Sequence, residues 1–114
     1  MHYDLKVWQL AMDLVTDIYA MTKYFPDSEK FGLSSQMQRA AVSVPSNIAE
    51  GAGRESTADF MRFLVIARGS LSELETQVLI AQRLGYADNV SQQLAKIKDI
   101  FMLLKGLIKK VQKQ

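Results

Sequence analysis

Apolar residues recur along this chain in steps of three and four, in four blocks separated by short breaks. In the first block, Val7, Trp8, Ala11, Leu14, Val15, Ile18 and Tyr19, continued by Met21 or Thr22, form one stripe with Asp13 and Asp17 opposite. That spacing is the signature of a helix with one buried face, and it predicts a helix from Asp4, as its cap, to about Lys23. Tyr24-Phe25-Pro26-Asp27 ends it, because the residue before a proline is pushed out of helical geometry. Ser28 to Phe31 reads as a single turn and Gly32 as a joint. In the third block, Phe60, Leu64, Ala67, Leu71, Leu74, Val78 and Ala81 alternate steps of four and three, as helices in a bundle do. Ser56-Thr57-Ala58-Asp59 supplies a capping start, a hydroxyl with a carboxylate three residues on, so the helix runs from about Thr57 to Leu84 and stops at Gly85. The fourth block, Val90, Leu94, Ile97, Phe101, Leu104, Ile108 and Val111, predicts a helix from Asp88 or Ser91 to about Val111.

The second block is the unusual one. In Leu33 to Arg54, Leu33, Met37, Ala40, Ala41, Val44 and Ile48 mark one apolar face, with Ser34 as a candidate N-cap. Pro45 lies in its middle and denies the Ala41 carbonyl its helical donor, a loss of about 3 kcal/mol. The stretch is either one helix kinked at the proline or two helices split near Ser43; apolar spacing in phase through Ile48 favours the kink. Gly51 and Gly53 are expected to end it in the left-handed conformation open to glycine. A second line, Gln36, Arg39, Ser43, Asn47, Glu50 and Arg54, runs beside the apolar face. It is either a solvated face or a hydrogen-bonded polar seam against another helix or subunit. The small residues Ser43, Ser46 and Ala49 favour the seam, since they let a backbone come close.

The run QRAAVSVPSNIAEGAGR, preceded by YDLKVWQLAMDLVTDIY and FPDSEKFGLSSQ and followed by FLVIARGSLSELETQ, resembles the 23S rRNA-intervening sequence protein family, from Tyr3 to about Tyr86. That family also includes relatives of the accessory variability determinant of diversity-generating retroelements. The resemblance implies a four-helix bundle, a ring-like homopentamer, a basic surface that binds nucleic acid, and a protein partner such as a reverse transcriptase. Many members carry two adjacent arginines where this chain has Gln38-Arg39, so one cation is lost at that position.

Length and composition fit this architecture. With 114 residues, 48% of them hydrophobic, the chain is one domain long. The expected fold is all-α, an up-down-up-down antiparallel four-helix bundle over residues 1–114. There is no cysteine, so disulfides and thiolate metal sites are excluded. No apolar run approaches the ~20 residues that span a bilayer, and the N-terminus lacks the basic and apolar regions of a signal peptide. A cytoplasmic protein is expected.

The net charge of +2 is unevenly spread. Residues 1–57 hold five Lys/Arg against seven Asp/Glu, residues 58–114 nine against five. Lys98, Lys105, Lys109 and Lys113 form one row, with Lys96 and Lys110 nearby. Lysines near a helix C-terminus are favoured by its dipole; the alternative is a strip facing the phosphates of RNA or DNA. Without interleaved aromatics, that strip contacts backbone rather than reading bases. Arg39, Arg62 and Arg83 join Lys98, Lys105 and Lys109 as candidate nucleic-acid contacts.

The third helix carries more apolar surface than one seam needs. Met61, Phe63, Val65, Ile66, Leu79 and Ile80 widen its arc, which predicts a subunit interface and hence a homo-oligomer. Ser70, Glu73 and Gln77 lie in one row within the arc, flanked by Arg68 and Glu75. Buried carboxylates need partners, and Arg39 and Arg54 are the candidates. Ser43, Asn47, Glu50, Arg54, Arg68 and Glu73 are thus expected to form a polar seam or subunit interface. Trp8 is expected to anchor the core or an interface.

Catalytic chemistry finds little footing. The one histidine, His2, falls in a terminus expected to fray; no Glu-x-x-His pair offers di-iron ligands. GAGR at Gly51–Arg54 lies between helices, not after a strand. Glu73 and Glu75 point about 200° apart on a helix. The sequence therefore predicts no catalytic residues, no metal and no cofactor. It predicts an oligomeric nucleic-acid-binding protein, RNA favoured, with a protein-interaction scaffold as the alternative.

Overall fold

A computed structural model describes residues 1–114. The chain is all-helical: α1 spans Lys6–Thr22, α2 Leu33–Ala52, α3 Thr57–Arg83 and α4 Ser91–Gln112, with short 3-10 turns at His2–Asp4 and Asp27–Glu29. Each helix packs on its neighbour in the chain and α4 closes onto α1, whereas in the diagonal pairs, α1 with α3 and α2 with α4, no Cα atoms come within 8 Å. One apolar cluster fills the centre. It takes Val7, Ala11, Leu14 and Ile18 from α1, Met37, Ala40, Ala41, Val44 and Ile48 from α2, and Leu64, Ala67, Leu71, Leu74, Val78 and Ala81 from α3. On α4 the buried row is Ile97, Ile100, Leu104, Ile108 and Val111, while Leu94 and Phe101 are only half-buried. The α4 seam is therefore rotated toward Ile100 relative to the expected one, and it keeps helical steps of three and four.

The helix ends depart from expectation in four places. Asp4 does not cap α1; Leu5 is extended and breaks the chain between the first turn and the helix, which starts at Lys6. Nor is His2 frayed, because that turn packs its ring 4.2 Å from Tyr3 and 5.2 Å from Trp8. Ser34 lies inside α2, and the carboxylate of Glu29 takes over the capping role by accepting from the Leu33 N–H at 3.1 Å. Gly53 closes α2 in right-handed geometry. The expectations at α3 hold: Ser56 Oγ accepts from the Asp59 N–H at 3.0 Å. Gly85, at φ 78°, turns the chain so that the Tyr86 N–H donates to the Ala81 carbonyl and the Gly85 N–H to that of Gln82. That is the paired bonding of a Schellman end.

Pro45 is buried within α2, which runs unbroken from Leu33 to Ala52, so a split near Ser43 is excluded. Two residues on, Asn47 Nδ2 donates to the Ser43 carbonyl at 2.8 Å, adding a side-chain bond to a helix that lacks one backbone bond.

Gly51 has a packing role. A Cβ there would meet Phe63 Cβ at 2.8 Å and the Phe60 ring at 3.0 Å. Overpacking of that kind costs about 1–3 kcal/mol, against a gain of about 1 kcal/mol from alanine's helix propensity. Gly51→Ala is expected to lower stability in urea titration; a variant more stable than the parent would refute the close approach.

Candidate nucleic-acid interface

The α4 helix positions the basic strip. Its apolar row faces the core, which forces the residues between them outward. Lys98, Lys105, Lys109 and Lys113 are all exposed and none has an acidic partner in the chain. At 1.5 Å per residue the row is about 22 Å long. Lys96 is withdrawn from it: its ammonium pairs with Asp17 of α1 and ties the two helices together. Asp17, expected on the solvent side, is half-buried in that pair.

The six candidate contacts do not form one patch. Arg39 lies on α2, diagonal to α4. Arg62 and Arg83 occupy opposite ends of α3, about 32 Å apart by helical rise. Arg62 pairs with Asp59 at 3.8 Å and sits 4.6 Å over the Phe63 ring. Arg54 covers the same ring at 5.0 Å and pairs with Glu50 at 3.6 Å. One aromatic face thus holds two guanidiniums, each with its own carboxylate. Arg39 and Arg83 are exposed and carry no ion pair.

The expected polar seam is split too. Its inner half is a knot between α2 and α3: the hydroxyls of Ser43 and Ser70 lie 2.8 Å apart, and Asn47 Nδ2 donates to Ser43 Oγ at 2.9 Å. Glu50 and Arg54 pair with each other on α2. Arg68 and Glu73 are exposed on α3, and Glu75 is half-buried. The expected pairing of Glu73 and Glu75 with Arg39 and Arg54 does not form. Glu73 is solvated and needs no counter-ion, and Arg54 is held within its own helix. Arg39 and Glu73 do border one open hollow of about 320 Å³, with Phe31, Ser35, Gln36 and Gln77. On the other side of α2, a groove of about 490 Å³ runs against α1, bordered by Tyr19, Gln38, Arg39 and Ser43.

A link unforeseen in the sequence joins the two ends of the chain's middle. The Tyr86 hydroxyl donates to Glu29 Oε2 at 2.8 Å, and its ring packs 5.4 Å from Phe25. Glu29 therefore receives the Leu33 N–H on one oxygen and Tyr86 on the other. The only hint in the sequence is an acid four residues before the helix start and a tyrosine just after the Gly85 turn.

The sequence profile of the 23S rRNA-intervening sequence protein family matches residues 3–109. The chain belongs to that family. A solved structure, a protein with unknown function from the S23 ribosomal protein family of Bacteroides thetaiotaomicron VPI-5482, is similar to it. The two share 26% identity over 96% of this chain and 99% of that one, with a TM-score of 0.81. No curated protein matches the chain. This 23S rRNA-intervening sequence protein carries exposed cations without an ion pair on all four helices, Lys6 on α1 among them.

The Glu29–Tyr86 link makes a pH prediction. The Leu33 N–H, then the Tyr86 hydroxyl, hold the Glu29 carboxyl below its ordinary 4.5; Glu29 in turn raises Tyr86 above its ordinary 10.0. The carboxylate's contribution is present above pH 4.5 and fades as pH falls through the lowered folded value. The neutral phenol's contribution is present below pH 10.0 and fades as pH rises through the raised one. The stability difference between the parent and Glu29→Gln, from urea midpoints across pH, should be widest between those limits and narrow at both ends. A difference independent of pH would refute the link.

Proposed function

We propose that this protein is a non-enzymatic, self-associating, cytoplasmic RNA-binding protein that grips phosphates through its basic surface. The observation that carries the reading is the row of Lys98, Lys105 and Lys109, exposed and free of acidic partners along about 16 Å of α4. A lysine left unpaired is a ready phosphate contact, because each phosphate neutralised releases counterions. Arg39, Arg62 and Arg83 add separate anchors around the bundle, so a bound RNA would follow more than one helix. Docked copies would join such clusters into a longer track.

The proposed scaffold is one domain with helices alternating up and down. Its support is the order of contacts: Ser43 of α2 meets Ser70 of α3, while the later Gly51 meets the earlier Phe63. On α1 and α4, Asp17 meets Lys96, and the earlier Lys6 and Leu10 border the later Asp99 and Met102.

Self-association rests on α3. Val65, Ile66, Leu79 and Ile80 are each 41–44% exposed in the single chain. Burying such surface in a second copy is favourable at about 25 cal/mol per Å². Five-fold closure is what the family resemblance implies. The same flank supports a second reading, a scaffold for a different protein, of the reverse transcriptase class if kinship with retroelement accessory proteins extends this far. An absorbance ratio typical of pure protein, with a stoichiometric protein partner in pull-downs, would favour that reading.

Filter binding of structured RNA should weaken as salt rises. The double variant Lys105→Gln, Lys109→Gln should flatten the slope of log affinity against log salt by about 1–2. No binding at low salt, or binding blind to salt, overturns the proposal. Light scattering should give a multiple of 12.8 kDa, and Ile66→Glu with Ile80→Glu should lower the mass toward one chain. A clean monomer of the parent at micromolar concentration overturns self-association.

A further inference from the structure

Two surfaces of the chain are apolar on the outside. The first is the α3 flank of Val65, Ile66, Leu79 and Ile80. At about 100° per residue these four centre opposite the buried row of Leu64, Leu71, Leu74 and Val78. Val65 to Ile80 spans about 22 Å of helix. Between the two apolar pairs the outer line of α3 is short, with Gly69, Ser72 and Thr76 exposed and Glu73 to one side. Gly69 has no internal purpose. A Cβ there would meet nothing within 4 Å, and glycine inside a helix costs about 1 kcal/mol against alanine.

The second surface is the groove between α1 and α2. Hollows of about 380 and 490 Å³ share Val42 and Ser46 and so run into one another. Trp8, Met12, Val15, Tyr19, Val42 and Pro45 line them. Met12, Tyr19 and Val42 are 39–47% exposed, as open as the α3 flank. On α2 the groove extends from Ser35 to Ala49, about 21 Å.

Flank and groove therefore agree in length, and they agree in charge. With their midpoints together, Glu73 of one copy falls over Val42 of the next, one turn from its Arg39. Neither Glu73 nor Arg39 has an ion pair in its own chain. Two α3 flanks suit each other less well. The antiparallel pairing that sets Val65 and Ile66 against Ile80 and Leu79 centres between Ser72 and Glu73, so it brings two Glu73 carboxylates together at the axis. Like charges set against each other across an interface are costly. A flank that faces a different surface avoids this, and such contacts run head to tail from copy to copy.

We propose that a second copy of this chain seats its α3 flank in the α1–α2 groove, with Gly69 at the closest approach and Glu73 against Arg39. The inference rests on the self-association reading and deepens it by naming both faces of the contact.

Light scattering of two variants, alone and mixed, tests it. Ile66→Glu with Ile80→Glu spoils the flank; Met12→Glu with Val42→Glu spoils the groove. All four side chains are partly exposed, and circular dichroism should show both variants as helical as the parent. Each alone should have the mass of one chain. Mixed in equal amounts they should give two chains, since the first keeps a sound groove and the second a sound flank. Adding Gly69→Ala to the groove variant should raise its Tm, yet weaken this mixed pairing at least about fivefold, because the methyl group intrudes on the contact. Arg39→Glu and Glu73→Arg probe the same contact without touching an apolar residue. Each should lower the mass on its own, and mixing the two should restore it. A groove variant that keeps the parent's mass overturns the inference and leaves self-association standing. So do folded flank and groove variants that stay at one chain when mixed at up to about 1 mM, where even weak contacts form. Pairing unchanged by Gly69→Ala, or charge-reversed chains that do not rescue each other, overturns it as well. A parent that is itself a monomer overturns this inference and the self-association reading together.

Discussion

The close approach of α2 and α3 is the constraint from which much of the molecule follows. It is made by what α2 lacks: Ser43 and Gly51 present little side chain toward α3, and Gly51 lies where even a methyl group would strike Phe63. Near that contact the Ser43 and Ser70 hydroxyls meet at 2.8 Å, a distance that larger neighbours would forbid. With α3 drawn in on this side, its inner row of Leu64, Leu71, Leu74 and Val78 is fully used by the bundle. Val65, Ile66, Leu79 and Ile80 lie outside that inner row and stay 41–44% exposed. The body is narrow, 46 × 24 × 20 Å, and carries that partly exposed apolar flank on α3.

The four helices and nearly all the core positions were legible in the sequence because burial imposes a periodicity that residue order preserves. The α3 row appears as spaced, since a long amphipathic helix has only one face to bury; the α1 row does so except at Tyr19, which lies at the edge of the stripe and is 47% exposed. The α4 row shifted to Ile100 because Leu94, Phe101 and Leu104 offer a competing stripe, and only the actual position of α1 and α3 decides between them. Caps were read well where the signal is local and redundant, as at Ser56 and Gly85. They were misread at Asp4 and Ser34, where a plausible residue type stands one or two positions from the real end. At α2 the winner is Glu29, whose carboxylate reaches the helix from outside because Gly32 lets the chain turn; nothing in a propensity scale favours an acid at that distance.

Side-chain partners across helices were the least legible part. Charge rows on a helix say which residues share a face, not what stands opposite. Lys96 belongs by spacing with the other α4 lysines, yet Asp17 claims it because α1 packs on that side. Glu73 and Arg39 look like an ion pair awaiting its helix contact, yet both remain solvated on either side of a hollow. The Phe63 ring, read as surplus apolar surface, is instead covered by two guanidiniums. Cation–aromatic contact of this kind is worth about 0.5–1 kcal/mol at exposed sites, enough to hold Arg54 and Arg62 on their own corner rather than extend them toward α4.

The α2–α3 interface also separates two kinds of buried polarity. Ser43, Asn47 and Ser70 satisfy one another within the chain, and Asn47 additionally serves a helix that Pro45 has deprived of one backbone bond. That knot is a structural device, because every member has its partner and the geometry needs nothing more. Gln77, on the same α3 helix two turns from Ser70, is buried to a similar purpose in sequence terms but has an acceptor with no donor. Gln93 on α4 shares that condition, its Oε1 also buried without a donor, and at either point an apolar residue would close the core at no loss of hydrogen bonding.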